Sequence, residues 1–292
     1  MIRKLACPED TMGVTPVADF FPRNSVIRRV NAEPALFFAA GRALLLQLAH
    51  PAVAQGVADH SDFQSNPFRR LQGTLEATYA VVFGSEELAA AVGRRIQRMH
   101  DFVTGASYRA NDPVNLLWVH ATLTDSALGA YTVMVEELSP ADTATYYREM
   151  TLVAEVFGLP VADQPASVDE FRAYFEEMVA TLRVSDEGRR LGEDVLYPSL
   201  PAGLRLALAP ALALNRLVAV GTTPEPLRQQ FGFAWDRRRE QRLALVQSSA
   251  GRVFGLAPRP VRTTPGWLNG RILLRQAERH AAGRLRAEAP AA

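Results

Sequence analysis

The side chains of this chain best suited to hold a metal or to move a proton near neutral pH are five histidines: His50, His60, His100, His120 and His280. A metal site built locally would pair a histidine with another one helical turn away, or with a glutamate three residues earlier, because those spacings stack side chains on one helical face. The residues three before each histidine are Gln47, Val57, Gln97, Leu117 and Ala277. The spacing therefore argues against a di-iron carboxylate bundle and against a zincin, and leaves open ligands gathered from distant segments. Haem asks less of the protein, because the porphyrin brings four nitrogens and one axial imidazole suffices. His100, four residues after Ile96, and His120, inside Leu116-Leu117-Trp118-Val119, both have the apolar helical setting such a ligand needs. A histidine in that setting is more often a hydrogen-bonded core residue, and periodicity does not choose between the two.

Between Arg42 and Arg70 an apolar stretch carries Gln47, His50, Gln55, Asp59, His60 and Asp62. Buried polar groups need partners, so this segment reads either as a site or as a turn-and-cap network joining two helices. Adjacent helical residues do not face each other, so Asp59 orients the His60 ring only if a bend intervenes.

Other chemistries have little to work with. Cys7 is the only cysteine, which removes disulfides and thiolate clusters, and Lys4 is the only lysine, which removes a lysine base from the folded body. A formal net charge of +1 gives no footprint of a nucleic-acid binder. The N-terminus meets Pro8, Glu9 and Asp10 before an apolar run of signal length forms, so a cytoplasmic location is expected. Leu200 to Val220 is the most apolar stretch, but Arg205, Pro210 and Arg216 lie within it. A buried or interface-lying helix fits that stretch better than a spanning one, with peripheral membrane contact as the remaining lipid option.

The elements that must position these residues are helical nearly throughout. Ala35 to Ala49 is a dense apolar helix stopped at His50-Pro51. Asn66-Pro67, Ser85, Asp112-Pro113 and Ser139-Pro140 each read as a cap opening a helix, and Gly84, Gly105 and Gly158 as stops. The stripe Leu88, Val92, Ile96, Met99, Val103 marks the apolar face of the helix that ends near His100. Later helices are expected at 168–182, 186–194, 204–220, 225–233, 236–254 and 270–286. No alternating run reads as a strand. The expectation is one all-α domain over 1–292, a core at 30–160 followed by C-terminal helices at 161–292.

Three blocks in this order, GRALLLQLAHPAVAQGVADHSDF, NPFRRLQGT and RRIQRMHDFVTGASYRANDPVNLLWVHATLTDS, resemble the core of the MpaB and rubber-oxygenase (latex-clearing protein) family. The resemblance spans roughly 35–157, with fainter likeness at 224–236 and 259–271. It implies a b-type haem in a globin-like all-α core and places the axial ligand at His100, with His120 in the following helix beside the cofactor. It also implies a distal arginine and threonine four residues apart, matched by Arg70 and Thr74. Rubber-cleaving relatives carry a lysine before that threonine, where this chain has Gly73, and a distal glutamate upstream of the arginine. Here no glutamate lies between Glu33 and Glu76, so either His50, Asp59 or His60 stands in as base or that step is absent. The activity implied is oxygenation, with dioxygen, of a hydrophobic substrate, with isoprenoid or unsaturated compounds as the candidate classes. Leu36, Phe37, Phe38, Leu44, Leu48 and Leu116 to Val119 would line its channel. The alternatives are a non-catalytic haem or apolar-ligand binding protein, and a haem-free protein that keeps only the fold.

Overall fold

A computed structural model describes residues 18–60 and 67–256, together with a few positions between 258 and 279. For residues 67–72 and 253–255 it gives the helical backbone alone. Asn66, proposed above as a cap, and His280 lie outside the described residues, as does most of the helix expected at 270–286. The described residues are all-α, with no strand and only two isolated bridges, Asp19 to Ser85 and Thr104 to Arg109.

The helices are α1 (Val26–Asn31), α2 (Leu36–Ala49), α3 (Pro51–His60), α4 (Pro67–Phe83), α5 (Glu86–Asp101) and α6 (Pro113–Met134). They continue with α7 (Pro140–Val156), α8 (Val168–Thr181), α9 (Asp186–Leu196), α10 (Ala202–Thr222), α11 (Glu225–Gln230) and α12 (Arg237–Leu256). Ser85, Asp112 and Ser139 cap α5, α6 and α7 through side-chain oxygens that accept first-turn N–H groups, as their positions before each helix predict.

Helix α2 is the axis of the molecule and packs against α6, α10, α9 and α3. The helices after residue 160 therefore close on the same core as those before it. Trp118, fully buried on α6, stacks on Phe175 of α8 at 5.6 Å and joins Leu46, Leu48 and Phe171 in the largest cluster. A second cluster gathers Ile27, Val30, Val81, Tyr131, Tyr146 and Met150 from α1, α4, α6 and α7. Helices α5 and α7 cross so closely at Gly93 that a Cβ there would lie 2.3 Å from the Val156 carbonyl oxygen. Gly158, at φ +101°, then turns the chain out of α7.

Two elements depart from the sequence expectation. His50-Pro51 does end α2, but Pro51 also occupies the first position of α3, which leaves at 102° to α2. The segment read as either a site or a turn-and-cap network thus contains a ten-residue helix. Met99 is 52% exposed although it fits the α5 stripe. His100, next in the four-residue ladder Leu88, Val92, Ile96, is half-buried.

Candidate functional site

Helices α4 and α5 form an antiparallel hairpin joined by Gly84 and Ser85 alone. Its register follows from two contacts. The Arg95 guanidinium bonds the Glu76 carboxylate at 3.3 Å, and Ala77 packs in one buried cluster with Val92. Six residues back from Glu76 along α4 stands Arg70, and five residues on from Arg95 along α5 stands His100. Equal rise per residue on both helices brings Arg70 and His100 to the same level of the hairpin, toward its open end. Thr74 lies one turn from Arg70 on the same face of α4 and is half-buried, as is His100. The Arg70 side chain lies outside the described residues. Toward the turn, Ala77, Ala80, Val92 and Ala277 close the groove with buried apolar surface. Gly73 is exposed, and a Cβ there would meet nothing within 4 Å, so packing does not dictate the missing lysine.

The end of α3 is tied to the chain that follows His100. His60, exposed, has its Nε2 at 3.2 Å from the Thr104 carbonyl oxygen, and its ring stands edge-on to Tyr108. The Tyr108 hydroxyl donates to Asp59 at 2.7 Å, and Gln55 donates to the other Asp59 oxygen at 2.8 Å. Those hydrogen bonds hold the Asp59 carboxyl below the usual carboxylate range, while burial and the Asp59 charge push the Tyr108 phenol up to about 12. Asp59 and His60 share no hydrogen bond. The carboxylate-oriented imidazole considered from sequence is not formed, because each side chain is turned to a different residue of the 102–112 loop or of α3. With both oxygens occupied, Asp59 is an anchor and a poor base.

His50 lies at the other end of α3, roughly 15 Å away along a ten-residue helix. It cannot share one reacting atom with His60. The His50 ring is half-buried, and its buried Nδ1 has no hydrogen-bond partner among the described residues. Burial holds its pKa below the ordinary histidine value, opposed by the charge of Asp112.

His120 is buried in the α6–α7 interface, hydrogen-bonded to the Met150 backbone, and burial lowers its pKa to about 4. Its Nε2 has no hydrogen-bond partner among the described residues. This is a neutral core imidazole held to α7 rather than to the α4–α5 hairpin. Its pH signature follows. In the unfolded chain it takes up a proton below about pH 6.5, whereas the folded chain resists until about pH 4. Stability attributable to this group is complete above pH 6.5 and falls as pH drops toward 4. The loss amounts to about 2 kcal/mol at pH 5. Urea unfolding at pH 7 and pH 5 should show a drop in native protein that is smaller in His120→Gln by about that amount.

Of the residues expected to line a channel, Leu48 and Trp118 are instead packed solid in the core, and Phe37 is 41% exposed. The reason is the α2–α6 contact, which consumes the faces they occupy. Phe38 lines an open cleft of about 1080 Å³ shared by α2, α6, α7, α8, α10 and α12, with Arg42, Ser126, Val133, Tyr147 and Phe171. None of the candidate histidines lines that cleft.

Among the described residues no three His, Cys, Asp or Glu side chains converge to hold a metal ion. A bare cation finds no ligand set there, whereas a porphyrin needs only one axial imidazole. His100 is a half-buried imidazole at the end of α5 and does not line the 1080 Å³ cleft. The Glu76–Arg95 pair and Tyr108 were not visible as site elements from sequence. The available signal was weak: a glutamate on the apolar side of α4, and a tyrosine in a short loop after α5.

The family described as "ER-bound oxygenase mpaB/B'/Rubber oxygenase, catalytic domain" matches residues 27–263. No curated protein and no solved structure matches the chain.

Proposed function

We infer what this chain does from its hairpin geometry and from the mpaB/B' and rubber-oxygenase catalytic-domain family, to which it belongs. The family supports oxygenase activity in general. The specific reading is a haem b-dependent oxygenase that acts with dioxygen on a hydrophobic, isoprenoid or otherwise unsaturated substrate, with His100 as axial ligand. The observation that carries it is the α4–α5 register, which brings His100 level with Arg70 and within a turn of Thr74.

Haem, when bound, supplies the centre at which dioxygen is activated. The chain's own residues do the rest. His100 presents its imidazole from the last turn of α5. Arg70, one turn before Thr74 on α4, would supply a cation to developing negative charge, an interaction that strengthens where water is excluded. Thr74 adds a hydroxyl donor on the same face. The apolar closure by Ala77, Ala80, Val92 and Ala277 keeps water from the turn side. His60, bonded to the loop beyond His100, is the histidine best placed to hold a proton near that end, and His50 serves a different place.

Purified protein is expected to show a Soret absorption band, and His100→Ala is expected to lose it while keeping its helical circular dichroism. Full haem content in the folded variant would overturn the ligand assignment. The engagement of Asp59 by Tyr108 and Gln55 favours one second reading, a haem or apolar-ligand binder without turnover. Oxygen uptake with a prenyl or unsaturated lipid substrate separates the two, and a colourless preparation from iron-replete cells would leave the fold alone.

A further inference from the structure

Helix α10 is folded into the protein at one end only. Val218, Ala219 and Val220 are buried, whereas nearly all of the first dozen residues, from Ala202 to Ala213, stand in solvent. Leu206 is 79% exposed and Leu204 47%, on a helix long and apolar enough for a membrane yet only 17% buried over its apolar window. Gly221 of α10 touches Leu243 of α12, and Leu214, Leu217, Val246 and Ala250 continue that cluster. The two helices therefore run antiparallel. Their shared register carries Leu256, 85% exposed, toward the same end of the molecule as Leu204 and Leu206.

Charge is one-sided in both segments. From residue 195 to 224 there is no Asp or Glu, only Arg205 and Arg216. From residue 241 to 277 there is again none, against Arg242, Arg252, Arg259, Arg262, Arg271 and Arg275. An exposed apolar tip that carries Arg205 and Arg252, both exposed, with no acid along the same two stretches of sequence, complements an anionic lipid surface.

We propose that the N-terminal half of α10, with the end of α12, is a monotopic anchor that seats the protein on an anionic phospholipid surface. The free half is roughly 20 Å long, shorter than the roughly 30 Å hydrocarbon core, and its far end is fixed in the protein. It lies in the headgroup region and does not cross. Pro210 sits inside the helix and leaves the Leu206 carbonyl without its intrahelical donor. Water at headgroup depth satisfies that carbonyl, and hydrocarbon would not.

Co-sedimentation of the full-length protein with vesicles tests this independently of haem. Native protein is expected to pellet with vesicles of phosphatidylglycerol and phosphatidylcholine and much less with phosphatidylcholine alone. The Leu204→Glu/Leu206→Glu variant, altered only at exposed positions, should keep its circular dichroism and bind the anionic vesicles at least about tenfold more weakly. Arg205→Gln/Arg252→Gln should lose the preference for anionic lipid. Native protein that stays in the supernatant, a glutamate variant that binds as well as native, or an unchanged lipid preference would overturn the anchor. So would light scattering that shows a dimer in the native protein and a monomer in Leu204→Glu/Leu206→Glu, which would assign the patch to a second copy.

Discussion

Trp118→Ala is expected to destabilise the fold by about 4 kcal/mol or more, the largest loss we foresee for any single side chain. Two costs add. The first is a cavity in the main cluster, where the indole is fully buried and stacked on Phe175 at 5.6 Å. The second is a backbone group left bare. Because α2 stops at His50, the His50 N–H turns to the Gln47 carbonyl, and Pro51 has no N–H to give. The Leu46 carbonyl is left over, and the Trp118 Nε1–H donates to it at 2.9 Å. Trp118→Phe keeps most of the ring but not the donor, so it should cost about 1–3 kcal/mol, mostly the unpaired carbonyl. Urea midpoints for both variants check the ordering. Equal losses would mean that the ring's packing contributes nothing beyond the hydrogen bond, and a Trp118→Phe midpoint equal to native would mean that the hydrogen bond contributes nothing.

The same dependence on distant partners explains what was legible in the sequence. Helix boundaries marked by local chemistry were readable, since Ser85, Asp112 and Ser139 act within three residues of themselves. The proline at 51 was read as a stop when it is both a stop and a start, because proline in the first turn costs a helix nothing. Helix α1 was invisible for another reason. Its six residues are too few to hold a helix alone, and the Glu149 carboxylate fixes it by accepting from the Ile27 N–H at 2.6 Å. Arg29 adds an ion pair to Asp142 at 2.6 Å. Both partners come from more than a hundred residues away. The candidate ligands show the limit most clearly. His100 and His120 were equivalent by periodicity, yet one is half-exposed at a helix end and the other sealed between two helices. Burial depends on which helix lies opposite, and a single chain's pattern does not record that.

Arg42 is the second residue whose loss should be severe, because it joins three helices at the edge of the 1080 Å³ cleft. Its Nε donates to the Thr222 carbonyl of α10 at 2.8 Å, and its Nη1 to the Ser126 hydroxyl at 2.7 Å. Its Nη2 meets the Asp125 carboxylate at 2.6 Å, and the guanidinium lies 5.8 Å from the Phe175 ring centre. Thr222 is the last residue of α10, so its carbonyl has no intrahelical donor and depends on that bond. Arg42→Met keeps the stem but strands the carbonyl, the hydroxyl and the carboxylate together. Asp125 is 30% exposed, so water recovers part of its charge and the expected cost is about 2–3 kcal/mol rather than the full penalty of a sealed pair. Asp125→Asn alone should cost less than about 1 kcal/mol, because Arg42 keeps its other acceptors. In a double-mutant cycle Arg42→Met and Asp125→Leu should fall short of additivity by about 1 kcal/mol, since removing the carboxylate also removes the charge that the methionine stranded. Strict additivity in urea denaturation would show that the ion pair is geometric only, and that the hub's worth lies in the Thr222 carbonyl.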